Sequence, residues 1–328
     1  MIRFNRLCPL GATASSLTAI RISRHVDREF DRSVVRLKAS QSVTMTSEQD
    51  IKNYFELAKE LTLKAGEVFK CGFEGEKIVE SKGEEWDLVT NYDRKIEEML
   101  TKRLREEYPD HEFMGEESTD ATKEKPVLTD KPTWIIDPID GTINYVNSFP
   151  YTCISVGLSI CKQLTIGIIY NPLAGELYTA IKGQGAFLNG KPIKTSNVTD
   201  LKTSLAEVEL YSLRYNAHSR DISLGRFGAI LSNSRGVRYM GSATLSLAYI
   251  AKGALDCLQM DGLHPWDVAA GVLIIREAGG TVIDTKGDEY DFMKGNTIAA
   301  ANEKLALEIK QLIIDTDLKT LRKRLART

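Results

Sequence analysis

Asp137 and Asp140 stand three residues apart, flank Pro138 and Ile139, and are followed by Gly141 and Thr142. After the apolar run Trp134-Ile135-Ile136, this spacing sets two carboxylates, a main-chain carbonyl and a hydroxyl around one tight turn. Pro138 fixes its own backbone and biases Asp137 to an extended conformation, so both acids can be aimed into one cavity. Ile139 offers its carbonyl, and Gly141 permits geometry barred to other residues. Thr142 is placed to cap a short helix over Ile143, Asn144 and Tyr145, whose N-terminus suits a phosphate. Paired carboxylates with a carbonyl fit a hard cation such as Mg2+, which keeps some waters and shares its shell with phosphate. The plain alternative is a solvated β-turn, because Asp-Pro and Asp-Gly are ordinary turn pairs.

Two further acidic clusters can reach the same cavity. One is Gly115-Glu116-Glu117-Ser118, behind Phe113-Met114 at a strand end; alone it reads as a solvated acidic loop. The other is His264-Pro265-Trp266-Asp267-Val268-Ala269-Ala270-Gly271. There Pro265 opens a helix and Asp267 lies near its positive end, a place an aspartate also takes simply as a helix-start residue.

With these three motifs in this order, the chain resembles the inositol monophosphatase family of Mg2+-dependent, lithium-sensitive sugar phosphatases. The resemblance runs from about Met45 to the C-terminus and includes Lys82, Asp87-Leu88-Val89-Thr90 and Asp93 upstream and Gly241-Ser242-Ala243 downstream. It implies that Glu116, Asp137 and the Ile139 carbonyl hold one Mg2+, and that Asp137, Asp140 and Asp267 hold a second, with a weaker third near Glu116. It further implies that Thr142 orients the attacking water, with Asp93 as its proton partner and Glu116 close by. Glu116, Ile139, Asp140, Gly141, Thr142 and Asp267 would meet substrate, as would Gly241, Ser242 and Ala243, although a Gly-Ser helix entry capped by Ser242 explains that last segment equally well. Lys82, before Gly83-Glu84-Glu85, is placed to cover the metal site, whereas most lone lysines are merely solvated.

The chemistry is intelligible from the residues. A phosphate monoester is anionic and bare carboxylates would repel it, so cations must reverse the local charge. Such ions acidify water, clamp the phosphoryl group and stabilise the leaving alkoxide, and no covalent phosphoenzyme is needed. Cys8, Cys71, Cys153, Cys161 and Cys257 form neither a C-x-x-C nor a Cys-x5-Arg arrangement. His25, His111, His218 and His264 lack metal-ligand spacing, so zinc and histidine nucleophiles find no support; His264 reads as a loop or cap residue.

One position departs from the family. Many members carry a glutamate seven residues before the Trp-Asp aspartate, facing inositol hydroxyls, and here that position is Met260. A thioether is a poor hydroxyl acceptor. Either Gln259 or Asp261 takes its place after a local shift, or sugar selectivity differs.

The elements that must position these groups alternate between helix and strand. Ile51, Tyr54, Phe55, Ala58, Leu61, Ala65, Val68 and Phe69 form a helical stripe, with Thr46-Ser47-Glu48-Gln49 resembling a capping box. A second helix starts by Asp93, carries Ile96, Met99, Leu100 and Leu104, and stops at Pro109. Cys153–Ile160, Leu164–Tyr170 and Glu176–Ile181 read as an antiparallel meander. Later strands are expected at Leu205–Leu210, Leu255–Met260, Gly280–Ile283 and Thr297–Ala301. Helices are expected near Ile222–Ser232, Thr244–Ala251, Trp266–Ala278 and Glu303–Asp315. Periodicity thus gives mixed α/β layers, and the family resemblance specifies a five-layer αβαβα sandwich, usually a homodimer.

The 328 residues are 42% hydrophobic and 27% charged, enough for a large core. The cysteines suggest a reducing compartment, and no apolar run reaches the roughly 20 residues of a membrane helix. Residues 1–44 carry eight Lys or Arg against three acids, a net +5 that leaves residues 45–328 at −7 given the whole-chain −2. An acidic body argues against a nucleic-acid surface. The first 26 residues lack acids and share the composition of a mitochondrial transit peptide. Met45 could equally open a cytosolic form, and cytosol is favoured for the active domain. The expected organisation is a basic extension over 1–44 and one catalytic domain over 45–328, with a metal-bearing half at about 45–190 and a sugar-facing half at about 191–328. The resulting expectation is Mg2+-dependent hydrolysis of a small cyclitol or sugar monophosphate, foremost inositol monophosphate, inhibited by lithium. Its rivals are a phosphatase for a bisphosphate nucleotide, fructose bisphosphate or another sugar phosphate, and an inactive scaffold of the same fold.

Overall fold

The computed structural model describes residues 46–328 except 124, 211, 212, 214, 215, 287, 288, 327 and 328. The extension over 1–44 and the Met45 start lie outside the described residues.

The first layer pairs α1 (Glu48–Glu74) with α2 (Asn91–Glu107). The buried stripe of α1 is Ala58, Leu61, Ala65 and Phe69, matching the 3.6-residue period, and each large apolar side chain buried there contributes about 1.5–3 kcal/mol. Its capping box pairs Ser47 with Asp50, one residue later than the spacing of Thr46 and Gln49 suggests, because Asp50 returns its carboxylate to the Ser47 amide at 3.0 Å. Between these helices lies the two-stranded ribbon of β1 (Val79–Ser81) and β2 (Leu88–Thr90).

The second layer is a seven-stranded sheet in simple chain order: β3 (Glu112–Gly115), β4 (Thr133–Asp140), β5 (Cys153–Ile160), β6 (Gln163–Asn171), β7 (Glu176–Ile181), β8 (Ala186–Leu188) and β9 (Lys191–Pro192). β3 and β4 are parallel and the rest antiparallel, which includes the expected meander. Every residue of β4 is buried, since helices cover both faces of the sheet. Two short helices follow the strand ends, α3 (Glu116–Thr122) after β3 and α4 (Thr142–Val146) after β4.

Across the chain's middle, η1 (Leu201–Thr203) leads into β10 (Leu205–Val208), followed by α5 (Ala217–Asn233), β11 (Gly236–Arg238), α6 (Ala243–Ala251), β12 (Cys257–Met260), α7 (Pro265–Glu277), β13 (Thr281–Ile283), β14 (Thr297–Ala300) and α8 (Glu303–Leu325). The third layer is α6 with α7, the fourth a five-stranded sheet of order β11-β10-β12-β14-β13, and the fifth α5 with α8. The protein is therefore the expected five-layer sandwich. The final helix runs ten residues beyond the expected Asp315, where its apolar stripe thins and Leu318, Leu321 and Leu325 are exposed.

The central helix reaches the first sheet through small residues. A Cβ at Gly167 on β6 would stand 2.7 Å from the Ala270 carbonyl oxygen, and one at Gly157 on β5 would stand 3.1 Å from the Ala269 Cβ. On the opposite side a Cβ at Gly271 would meet Leu247 at 2.6 Å. The Ala-Ala-Gly following Trp266-Asp267 is thus a close-packing surface, and this approach fixes where the first turn of α7 points.

Candidate metal centre and active site

The tight turn expected at Asp137 to Asp140 is a bulge within β4. Pairing with β5 is regular up to Asp137 opposite Ser155 and resumes at Asp140 opposite Cys153. Pro138 cannot donate to a ladder, and the Asp137 carboxylate accepts the Ile139 amide at 3.0 Å, so the irregularity is locally self-bonded. Gly141 then takes φ +84° and begins α4. Thr142 is the first residue of that helix and not its side-chain cap; its hydroxyl donates to the Ile139 carbonyl at 3.0 Å.

Oxygens of Asp137, Asp140 and Asp267 all lie within 4.8 Å of one another. Asp267 arrives from α7, where its carboxylate accepts the amide of His264, the N-cap residue, at 2.7 Å. Asp140 is held by the Ser242 hydroxyl and by the Thr244 amide at 3.0 Å, at the start of α6. Glu116, first residue of α3, completes the cluster beside Asp137, within hydrogen-bond reach when one of the two is protonated. Burial pushes Asp140 up to about 8, reinforced by Asp267, and pushes Asp267 up to about 7. Asp137 is raised well above the usual carboxylate range by burial and then by the charges of Glu116, Asp140 and Asp267. Four carboxylates so close resist simultaneous ionisation unless a cation joins them, and their all-oxygen donor set fits a hard divalent ion.

In this structure a lysine supplies part of that charge. Lys82 Nζ lies 2.7 Å from Glu116, 2.7 Å from Glu117 and 2.8 Å from Asp120, with its side chain only 9% exposed. Burial disfavours its charge, but Glu116 and Glu117 more than offset this and hold it as ammonium. It is therefore a buried member of the acidic cluster and not a solvated lone lysine.

Thr142 Oγ1 lies 3.4 Å from Asp93 Oδ1. Asp93 is fully buried as the third residue of α2, its other oxygen taken by the amide and hydroxyl of Thr90 in a capping box. Burial pushes its carboxyl up to about 7 against the opposing Thr90 hydrogen bonds.

A cavity of about 710 Å3 gathers these groups, within the usual range for a small-molecule site. Glu116, Asp137, Ile139, Asp140, Thr142 and Asp267 line it, and Gly141, Gly241 and Ala243 form an adjoining wall. Asp93 and Ser242 are not part of its lining; they act from behind through Thr142 and Asp140. Lys82 faces a neighbouring cavity instead. Met260 forms part of the main wall, together with Gln259 and Asp261. Asp261 is engaged by Thr285 at 2.8 Å, Arg226 at 2.5 Å and Gln259 at 3.3 Å, so its carboxylate is held by neighbours in the wall.

Glu97 belongs to no motif in the sequence, yet it acts at this site. From α2 its carboxylate accepts the amides of Glu117 at 2.8 Å and Ser118 at 2.9 Å, satisfying the N-terminus of α3 and fixing Glu116. Its signal was a charged residue next to the apolar Ile96, on the face of α2 that carries the buried residues.

This arrangement has counterparts. Residues 50–315 match the model of the inositol monophosphatase family, and the chain belongs to that family. It is 42% identical over 262 residues to inositol monophosphatase 3 of Solanum lycopersicum, covering 80% of this chain and 96% of that protein. With inositol monophosphatase 2 of Homo sapiens it shares 40% over 259 residues, 79% of this chain and 90% of the relative. Among solved structures, the IMPase of Thermotoga maritima superposes with a TM-score of 0.72 at 29% identity, covering 82% of this chain and 99% of that one.

Proposed function

We propose that the protein is a phosphoric monoester hydrolase that releases phosphate from a small cyclitol or sugar monophosphate, foremost myo-inositol monophosphate, with Mg2+ and by direct attack of water. The observation that carries this is the set of Asp137, Asp140 and Asp267 oxygens within 4.8 Å of one another, in the cavity that Thr142 also lines. Membership of a family whose relatives are named inositol monophosphatases supports the substrate class.

Glu116, Asp137 and the Ile139 carbonyl would hold one Mg2+, and Asp137, Asp140 and Asp267 a second, with room for a weaker third near Glu116. Bound there, the ions supply Lewis acidity toward the phosphoryl group and toward the water that attacks it. The protein's own part is positional and protonic. Thr142 turns its hydroxyl between Ile139 and Asp93, so a water held against it is oriented toward the phosphorus and can pass its proton to the buried Asp93 carboxylate. The residues at the start of α4, which no side chain caps, line the same cavity, and their amides suit phosphate oxygens. Gly241 and Ala243 contact the alcohol half, and Ser242 keeps Asp140 aimed.

Met260 supports a second reading within the same chemistry. A thioether wall, with Asp261 tied to Arg226 and Thr285, offers a poor hydroxyl acceptor at this place, so selectivity among hydroxylated esters shifts toward another sugar phosphate or a bisphosphate. The domain division at about residue 45, lithium inhibition, a homodimer and a cytosolic site of action, with a mitochondrial form through the extension as the alternative, complete the proposal. No helix among the described residues is long and apolar enough to cross a membrane.

The test is phosphate release by the purified full chain from inositol phosphates, sugar phosphates and nucleotide bisphosphates, with and without Mg2+ and lithium. Mg2+-dependent release from inositol monophosphate is expected. Turnover confined to another ester would move the assignment, and none on any substrate would leave the scaffold reading.

A further inference from the structure

Beside the Gly241–Ala243 wall lie two acids that no step above uses, one of which, Glu209, itself lines the cavity. Glu207 on β10 and Glu209 just past its end point to the same face of the five-stranded sheet and are 0% and 7% exposed. β10 is hydrogen-bonded to β11 on one side and β12 on the other, so it is an interior strand of the sheet.

One oxygen of Glu209 accepts the Gly241 amide at 2.6 Å. Its second oxygen and both oxygens of Glu207 are buried without a hydrogen-bond donor. The neighbouring Ser246 hydroxyl is close enough to hydrogen-bond Glu207, but its proton is drawn elsewhere. Ser246 donates to the Ser242 carbonyl at 2.7 Å, and Tyr151 lies 2.9 Å from Ser246, whose oxygen can accept its proton. Two ionised carboxylates in such a place would leave three orphaned oxygens and two like charges, an arrangement the fold cannot hold without cost. One proton placed between them removes the repulsion and satisfies two of the three.

We infer that Glu207 is a carboxylic acid that donates its proton to an ionised Glu209, and that this pair positions the Gly241–Ala243 wall of the substrate cavity. Burial raises both groups and most strongly Glu207, with a hydrogen bond between the two side chains favouring the proton on Glu207. Glu209 remains the charged acceptor of the Gly241 amide. Gly241, at φ +78°, hands the chain to Ser242, which holds Asp140 and caps α6 through the Leu245 amide at 3.3 Å. On the other side Asn144 ties the Met240 carbonyl at 2.7 Å and the Tyr151 carbonyl at 2.8 Å, so the wall hangs between a side-chain amide and this acid pair. Both are positioning residues for the proposed reaction, whose reading this role presupposes; the proton itself does not.

Infrared spectra of the Mg2+-loaded full chain at neutral pH separate the two. Wild type minus Glu207→Gln should show the carbonyl stretch of a protonated carboxylic acid, and Glu209→Gln should retain it. Glutamine at 207 still offers an N–H to Glu209, so Glu207→Gln should hold kcat/KM within about twofold, while Glu207→Leu, leaving Glu209 uncompensated, should raise KM about tenfold with a smaller change in kcat. Absence of that band from the wild-type minus Glu207→Gln difference overturns the proton assignment. Equal impairment of Glu207→Gln and Glu207→Leu, or none in either, overturns the positioning role. Should Glu207→Leu fail to fold, Glu207→Ala takes its place in the comparison with Glu207→Gln, and substrate-panel turnover separately tests the enzyme reading.

Discussion

The carboxyl carbon of Glu97 lies 2.4 Å from where a Cβ on Gly115 would stand. The glycine is what lets an acid from α2 reach the first amides of α3 and set the Glu116 backbone. Gly115→Ala should therefore displace Glu97 and cost about 1 kcal/mol of capping, while lowering kcat/KM about tenfold through misplaced Glu116. Mg2+ titration of activity checks this: an unchanged Mg2+ requirement would detach Glu97 from the metal centre.

Asp137 carries the heaviest burden of like charge in the cluster. Asp137→Asn should reduce turnover by at least about a hundredfold, yet the chelated protein should melt at a higher temperature than chelated wild type, since one carboxylate has left a buried acidic group. A lower melting temperature in chelator would contradict the electrostatic account.

Stability without metal should fall as pH rises. Asp140 and Asp267 move from the ordinary 3.8 up to about 8 and about 7, so between those limits the folded chain binds more protons than the unfolded one. Stability is then fully present below the unfolded value and is lost as pH climbs through the folded values. Calorimetry in chelator should show the melting temperature declining across this window, and added Mg2+ should restore it at the alkaline end but scarcely at the acid end.

Thr142→Val and Asp93→Asn should each lower kcat by about 10²–10⁴ while leaving the Mg2+ dependence near that of wild type, because both groups act on the water's proton. A large rise in the Mg2+ requirement would instead make them props for the Ile139 carbonyl.

Much of the site was legible because its residues cluster in short motifs. Asp137, Asp140 and Thr142 announce themselves within six positions, and Trp266-Asp267 precedes a run of small residues whose purpose became plain only against Gly157 and Gly167. What stayed hidden depends on contacts between distant segments. Glu97 reads as one more charge on an amphipathic helix, and Glu207 and Glu209 as ordinary charged positions of a strand; only the α6 residue Ser246 set beside Glu207 shows that this face is interior. The bulge between Asp137 and Asp140 was read as a turn, because Pro and Gly signal a break without saying whether the ladder resumes, and Cys153 opposite Asp140 shows that it does.

Asp137 and Asp140 belong to the seven-stranded sheet, whereas Asp267 belongs to α7 and Ser242, which grips Asp140, stands at the head of α6. A cation drawing these oxygens together is thus a rivet through two layers. Ion starvation would be felt as breathing between the sheet and its central helices, with faster hydrogen exchange along that seam and earlier proteolytic nicking. The lifetime of the molecule, and not only its turnover, would then follow the supply of divalent ion.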